Sequence, residues 1–116
     1  MADKAATSSF IVVVNRDAAV PVVRCTGRLV LGLTDELLLP VKQLISASKR
    51  IVLDFTELTR MDSSGLGTIV RLLVTAKAAG CSLELKNVGP PIRQLLGITN
   101  LLDAFTIIGE NNIKLG

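Results

Sequence analysis

The stretch "IVLDFTELTRMDSSGLGTIVRLLVTAKAAGCSLELK", residues 51–86, decides the fold. Its first five residues form a nearly unbroken apolar run, which is typical of a strand covered on both faces. After "TELTRMDSS", which we expect to be a connection, apolar residues recur at the spacing of one helix face, namely Leu66, Ile69, Val70, Leu73 and Ala76. Gly80 ends this helix, and the alternating "CSLELK" predicts a second strand with one wetter face. Strand, helix and strand together predict a right-handed parallel crossover.

The residues before this unit predict a hairpin and a helix. "FIVVV" at 10–14 and "VPVVRCTGR" at 20–28 are rich in β-branched residues, and Pro21 favours an edge position or the first residue of the second strand. From Leu33 to Ser48 apolar residues recur at helical spacing, with Thr34 and Asp35 at the helix start. Pro40 would either kink this helix or mark its first turn.

The residues after the unit predict a further helix and a last strand. "GPPIRQLLG" at 89–97 begins with prolines and would bury Ile92, Leu95 and Leu96, and a short strand follows around 105–108. The whole order predicts an α/β fold, a small mixed sheet of four to five strands with helices packed on one side. We expect residues 1–9 to be a disordered tail and residues 10–116 to be a single domain.

Composition excludes several classes of function. The 13 basic and 10 acidic residues give a net charge of +3, but the basic residues are scattered and the aromatics are three Phe, so nucleic-acid binding is not expected. The chain has no histidine, which removes the Ser-His-Asp and Cys-His nucleophiles and the commonest metal ligand. Cys25 and Cys81 are too few and too far apart for a zinc site, and we expect both in the core.

The same reasoning sets the expected location and chemistry. The longest apolar runs are too short to span a membrane, and the N-terminal residues do not have the pattern of a signal peptide. We therefore expect a cytoplasmic protein without direct membrane insertion. No paired carboxylates, metal cluster or activated nucleophile can be assembled, so we expect no enzymatic activity and no cofactor.

The segment "MDSSGLG" at 61–67 is the candidate site. Asp62, Ser63 and Ser64 follow the carboxyl end of a strand and begin a helix, where open α/β sheets place functional groups. The segment lacks the nucleophile elbow and the phosphate-loop lysine. Three interpretations remain: helix capping by Asp62 or Ser63, phosphorylation of a serine by an external kinase, and small-anion or nucleotide binding at the helix start.

At these residues the chain resembles a known family. The likeness runs from Arg50 to Ile108 and rests on the strand ending in Asp54, "MDSSGLG", a helix ending in "AAG", and "LLGITNLLDAF". This combination resembles STAS domains, the anti-sigma factor antagonists of bacteria. The resemblance implies the mixed sheet described above and a role in partner switching.

In partner switching, the unphosphorylated antagonist binds an anti-sigma factor that is also a serine kinase with a histidine-kinase-like ATPase fold. The resemblance implies that this kinase phosphorylates Ser63 and that a PP2C-type phosphatase resets it. Asp62, Ser64, Gly65 and Gly67 match the pattern around that serine.

The resemblance also leaves an alternative. Val30 stands where the antagonists usually carry an Asp, in a loop that contributes to partner contacts in the family. Other STAS domains work without a phosphorylation switch, as subunits of transport or stress-signalling complexes. In that case Ser63 only caps the helix, and the helix side that we expect to be exposed, with Thr68, Arg71, Leu72 and Thr75, is the docking face.

Overall fold

The computed structural model describes residues 10–17 and 19–99, and the backbone of 106–108. The elements are β1 (Phe10–Asn15), β2 (Val22–Leu29), α1 (Asp35–Ile45), β3 (Arg50–Met61), α2 (Ser63–Ala78), β4 (Ser82–Lys86), α3 (Pro90–Ile98) and β5 (Thr106–Ile108). This is the predicted order. The tail expected at residues 1–9 lies outside the described residues.

The strands form one mixed sheet in the order β1-β2-β3-β4-β5. β1 is antiparallel to β2, as the predicted hairpin requires, and β2, β3, β4 and β5 run parallel. Pro21 lies one residue before β2, and its carbonyl accepts a hydrogen bond of 3.0 Å from the backbone N–H of Val52. The proline therefore removes no donor from the strand itself.

The helices pack on one face of the sheet. The core there combines Ile51, Leu53 and Phe55 of β3 with the apolar residues of the three helices. Val52 and Asp54, which alternate with them, are 6% and 4% exposed, although the sheet face to which they belong also carries the exposed Ile11 and Val13 of β1. The prediction that residues 51–55 form a strand buried on both faces is thus confirmed, although the described helices lie on one side.

β3 is longer than the sequence predicts. "TELTRM", expected as a connection, continues the strand, and Glu57, Leu58 and Met61 pair with Thr26, Gly27 and Leu29 of β2, with two shifts of register. Backbone pairing holds this part of the strand, since most of its side chains are exposed. The extension brings the polar segment that follows it directly to the end of the sheet.

Pro40 lies inside α1, as its sixth residue, so the expectation that it marks the first turn is wrong. The proline ring removes one helical N–H donor, to the carbonyl of Glu36. The helix nevertheless continues, because its apolar stripe is buried against the core, with Leu37, Leu38, Val41, Leu44 and Ile45.

Candidate functional site

Asp62 joins two elements at the end of β3. Its backbone is extended, with φ −106° and ψ −172°, and it is the N-cap of α2. One carboxylate oxygen, Oδ1, accepts a hydrogen bond of 3.0 Å from the backbone N–H of Gly65. The other, Oδ2, accepts one of 3.0 Å from the backbone N–H of Leu31, in the loop between β2 and α1. The predicted cap is confirmed, and the same side chain also holds a loop 31 residues away in the sequence.

These hydrogen bonds set the charge of the site. The backbone N–H groups of Leu31 and Gly65 lower the pKa of Asp62 below its usual value, and partial desolvation opposes them. Asp62 is therefore a carboxylate at neutral pH. Its negative charge lies at the positive end of the α2 dipole, next to Ser63.

Gly65 and Gly67 have different reasons to be glycine. A Cβ on Gly65 would collide with the backbone oxygen of Leu29 and the side chain of Met61, so only glycine lets α2 begin so close to β2. Beyond its chain neighbours and the backbone of its own helix, a Cβ on Gly67 would meet no described atom within 4 Å, and this glycine is exposed. Packing therefore explains Gly65, whereas Gly67 leaves a bare surface one helical turn from Ser63.

Ser63 is the first residue of α2 and is exposed. Among the described residues, no hydrogen bond to its hydroxyl is present. Ser64 is half-buried, and its carbonyl accepts a hydrogen bond of 3.0 Å from the Thr68 hydroxyl. Of the two adjacent serines, Ser63 is the more accessible.

The expected docking side of α2 requires correction. Thr68 is 6% exposed and Leu72 is 0% exposed, so both face the core and cannot contact a partner in the folded protein. The reason is that α2 packs against the sheet and α1 together, which widens its buried stripe. Thr75, also expected there, is half-buried.

The exposed side of α2 carries Ser63, Gly67, Arg71 and Val74, which we call the Ser63 face. These residues follow one another at intervals of three or four, as neighbours on a helix surface do. Arg71 is the cation of this face, and Val74 is 62% exposed. The face therefore combines a hydroxyl, a bare glycine, a charge and an apolar side chain.

Leu31 extends the site, and sequence reasoning missed it. Its side chain is 78% exposed, its backbone N–H is held by Asp62, and the next residue, Gly32, has a φ of +92°. Val30, at the position where an Asp was expected, is half-buried. The sequence signal was an apolar residue before a glycine in a loop, which the apolar run "LVLGL" disguises.

Two guanidinium groups lie near the same strand ends. Arg28 of β2 is the register partner of Arg60 of β3, immediately before the pair formed by Leu29 and Met61. Arg60 is exposed, and Nε of Arg28 is buried without a hydrogen-bond partner in the described part of the chain. Two cationic groups therefore lie on the strand ends that lead to the Asp62 carboxylate.

The cysteines lie in the core, as predicted. Cys25 is 0% and Cys81 3% exposed, and both are free thiols. Burial, with a smaller contribution from the charge of Asp54, raises the pKa of Cys25 to about 12, and burial also raises that of Cys81. Both thiols are therefore neutral and unreactive in the folded protein.

The remaining features are negative. Within residues 10–17, 19–99 and 106–108, no three His, Cys, Asp or Glu residues are grouped so that they could hold a metal ion. No helix in the described ranges is both long enough and apolar enough to cross a membrane.

Comparison with known proteins identifies the family. The family model of the STAS domain matches residues 11–113. The chain belongs to the STAS domain family. An anti-sigma factor antagonist from Mycobacterium paratuberculosis has a similar structure, with 19% sequence identity and a TM-score of 0.76 over 86% of each chain.

Two further solved STAS-like structures are similar. Bacillus SpoIIAA in its phosphorylated form has 20% identity and a TM-score of 0.69, over 85% of this chain and 90% of that one. A sulfate transporter family protein from Wolinella succinogenes has 18% identity and a TM-score of 0.62, over 79% of this chain and 74% of that one. At these identities the similarity shows the fold, and this STAS fold is common to antagonists and a transporter-family protein.

Proposed function

We propose that this STAS domain is a cytoplasmic anti-sigma factor antagonist that is controlled by phosphorylation of Ser63. Unphosphorylated, it binds an anti-sigma factor that is also a serine kinase with a histidine-kinase-like ATPase fold, and phosphorylation releases it. A PP2C-type phosphatase restores the binding form. The observation that carries this proposal is the exposed Ser63 at the first position of α2, beside an Asp62 fixed by Leu31 and Gly65.

Ser63 requires no activation by its own chain, because the kinase supplies the base and the phosphoryl donor. The protein has only to present an accessible hydroxyl on a rigid element, which the capped start of α2 provides. The antagonist therefore needs no catalytic residue and no cofactor of its own.

The phosphoryl group adds about −1.5 to −2 charges. The α2 dipole favours such a charge at this end by about 0.3–1 kcal/mol, and repulsion from Asp62 is of similar size in water. The fold should therefore survive modification. Burial of the dianion in an interface would cost several kcal/mol (about tenfold in affinity for each 1.4 kcal/mol), so phosphorylation would release the partner.

The partner surface in this proposal is the Ser63 face together with Leu31. Leu31 and Val74 supply exposed apolar area, and Arg71 supplies a charge for orientation. Ser63 lies at the start of the helix face that carries Arg71 and Val74. Asp62, Ser64 and Gly65 contribute by holding this surface rather than by direct contact. SpoIIAA, whose structure in a phosphorylated form has the same fold, supports the idea that such a fold accommodates the modification.

The experiment is phosphorylation by the cognate anti-sigma factor kinase and ATP, followed by mass spectrometry of the intact protein and its peptides. We expect one phosphoryl group, located on Ser63. Ser63→Ala should abolish it, and the neighbouring Ser64→Ala should retain it as the matched control. An unmodified protein, or a phosphoryl group on Ser64, would contradict the proposal.

A second candidate function is that of an interaction subunit without a phosphorylation switch, in a transport or stress-signalling complex. The similar fold of the Wolinella succinogenes protein and the Val30 at the usual Asp position favour it. A partner whose affinity is the same for native protein and Ser63→Asp would support this alternative against the first.

A further inference from the structure

A second concave site lies between the carboxyl-terminal half of β3 and the start of α3. It is a cavity of about 390 Å³, open on one side, with apolar walls from Phe55, Leu58, Val88 and Pro90. Its volume lies within the range typical of small-molecule sites, about 300–1,000 Å³. None of the residues of the Ser63 face lines it.

Arg93 supplies the charged group of this cavity. It lines the cavity from α3, and its Nη2 atom is buried without a hydrogen-bond partner in the described part of the chain. No described residue that lines the cavity is acidic. Since a buried donor without an acceptor is unfavourable, this Nη2 atom favours an anion or another strong acceptor as its partner.

Hydrogen bonds within the chain hold another part of the cavity wall in place. Asn87 adopts the left-handed region, with φ +57°, and its Nδ2 donates a hydrogen bond of 2.7 Å to Oγ1 of Thr56. The Thr56 backbone N–H in turn donates one of 2.9 Å to the buried carboxylate of Asp54. These bonds fix the cavity wall and engage the nearby carboxylate with Thr56.

We propose that this cavity binds a small organic anion, a carboxylate or phosphate group carried on an apolar body. The guanidinium of Arg93 would hold the anion through two parallel N–H donors, and the apolar walls would cover the body of the ligand. Pro90 and Pro91 have no backbone N–H, so the start of α3 offers few donors and Arg93 is the principal one.

The cavity lies on the same strand that leads to the Ser63 site. Leu58 lies in the cavity wall three residues before Met61, on the strand that leads to Asp62 and Ser63. Both sites are therefore at the carboxyl edge of the parallel strands, the usual location of ligand sites in α/β sheets. Ligand binding here goes beyond the proposed function and does not depend on phosphorylation of Ser63.

The test is an NMR titration of the full chain, labelled with ¹⁵N, using phenyl phosphate, benzoate and the neutral benzamide as probes. We expect saturable shifts at Asn87, Val88 and the Arg93 side chain, with a Kd on the order of 1 mM for these small anions. Benzamide should bind about tenfold more weakly or not at all, because it lacks the charge.

Two variants assign the binding to Arg93. Arg93→Met keeps the aliphatic stem and should lower the affinity for both anions about tenfold or more. It should not lower the thermal midpoint, because it removes a buried donor that has no partner. Arg60→Met, the same change at an exposed arginine, should bind as the native protein does.

Three results would overturn the proposal. They are no saturable shift of the native protein with either anion, equal binding by Arg93→Met, and an equal loss in Arg60→Met, which would indicate unspecific attraction. If Arg93→Met weakened binding of a partner protein while the native chain bound no small anion, the occupant would be an acidic partner side chain. None of these results would bear on the proposal that Ser63 is phosphorylated.

Discussion

Asp62 connects the candidate site to the fold, because its two carboxylate oxygens accept hydrogen bonds from different elements. One bond caps α2 at Gly65, and the other fixes Leu31 in the loop after β2. A cap alone would orient only the helix. The second bond also holds the backbone of the exposed Leu31 against Asp62, the residue before Ser63. A substitution at Asp62 should therefore affect both stability and partner binding.

Asp62→Ala should lower the free energy of unfolding at neutral pH, and the effect should shrink in acid. The folded-state pKa of Asp62 is depressed, so its contribution is complete above the unfolded-state pKa of about 3.9 and is lost as the pH falls through the folded-state pKa. Urea unfolding of both proteins at about pH 7 and about pH 3 measures this. Asp35→Ala, at an exposed acid in the first turn of α1, is the control. If Asp62→Ala lowered the free energy of unfolding by the same amount at both pH values, the depressed pKa of Asp62 would be contradicted.

The two glycines of the site should respond to alanine in opposite directions. Gly65→Ala should destabilise the protein by about 1–3 kcal/mol or more, because the new methyl group collides with the Leu29 backbone oxygen. Gly67→Ala should stabilise it by about 0.5–1 kcal/mol, because the site is open and alanine favours the helix. Urea unfolding of the two variants is the measurement. Equal effects would show that the close approach of α2 to β2 is not what requires Gly65.

The helix α2 shows what a sequence pattern can and cannot predict about an element. Its position, its cap and most of its buried stripe follow from the spacing of Leu66, Ile69 and Leu73. The width of that stripe does not, because it depends on α1 packing beside the sheet. Leu72 is therefore in the core although the period alone leaves it free.

β3 and the Leu31 loop show the same limit. The run from Ile51 to Phe55 is predictable because its apolar side chains indicate burial in the sequence itself. The extension to Met61 is held by backbone pairing with β2, and Leu31 is held by its backbone N–H, so neither leaves a side-chain signal. The serine could be proposed from the local motif, whereas the loop that accompanies it required the structure.

Leu31 and Leu72 should therefore separate binding from stability. Leu31→Ala should change the free energy of unfolding by no more than about 0.5 kcal/mol, because Leu31 is exposed. It should lower the affinity for the anti-sigma partner, because Leu31 lies at the proposed interface. Leu72→Ala should cost about 2–5 kcal/mol, because it opens a cavity in the core. Urea unfolding and a binding titration give both quantities. Partner affinity unchanged by Leu31→Ala would exclude the loop from the interface.

At the scale of the whole molecule, the three helices and one face of the sheet bury a single apolar core in the described part of the chain. Both cysteines lie in that core. Their accessibility should therefore report on opening of the whole domain rather than on a local site.

Cys25 should resist a thiol reagent in the native protein and react at a rate that follows unfolding. It is fully buried, and its pKa of about 12 leaves almost no thiolate at neutral pH. Labelling of a Cys81→Ala variant, which isolates Cys25, as a function of urea concentration measures this. Rapid, complete labelling without denaturant would contradict the buried position.

The family and the fold do not by themselves separate an antagonist from a transport subunit, since both kinds of protein contain this fold. We propose that the site makes the distinction, through an exposed serine at a capped helix start and the exposed Leu31 that Asp62 holds. The proposed switch changes charge rather than shape, so both phosphorylation states should have the same fold and similar thermal midpoints.

The most direct test is the affinity of the cognate anti-sigma factor kinase for four forms: native, phosphorylated, Ser63→Ala and Ser64→Asp. Isothermal titration should give the native protein and Ser63→Ala similar Kd values, and the phosphorylated form a Kd at least about a hundredfold higher, with Ser64→Asp in between. A phosphorylated protein that binds as tightly as the native one would contradict the switch at Ser63.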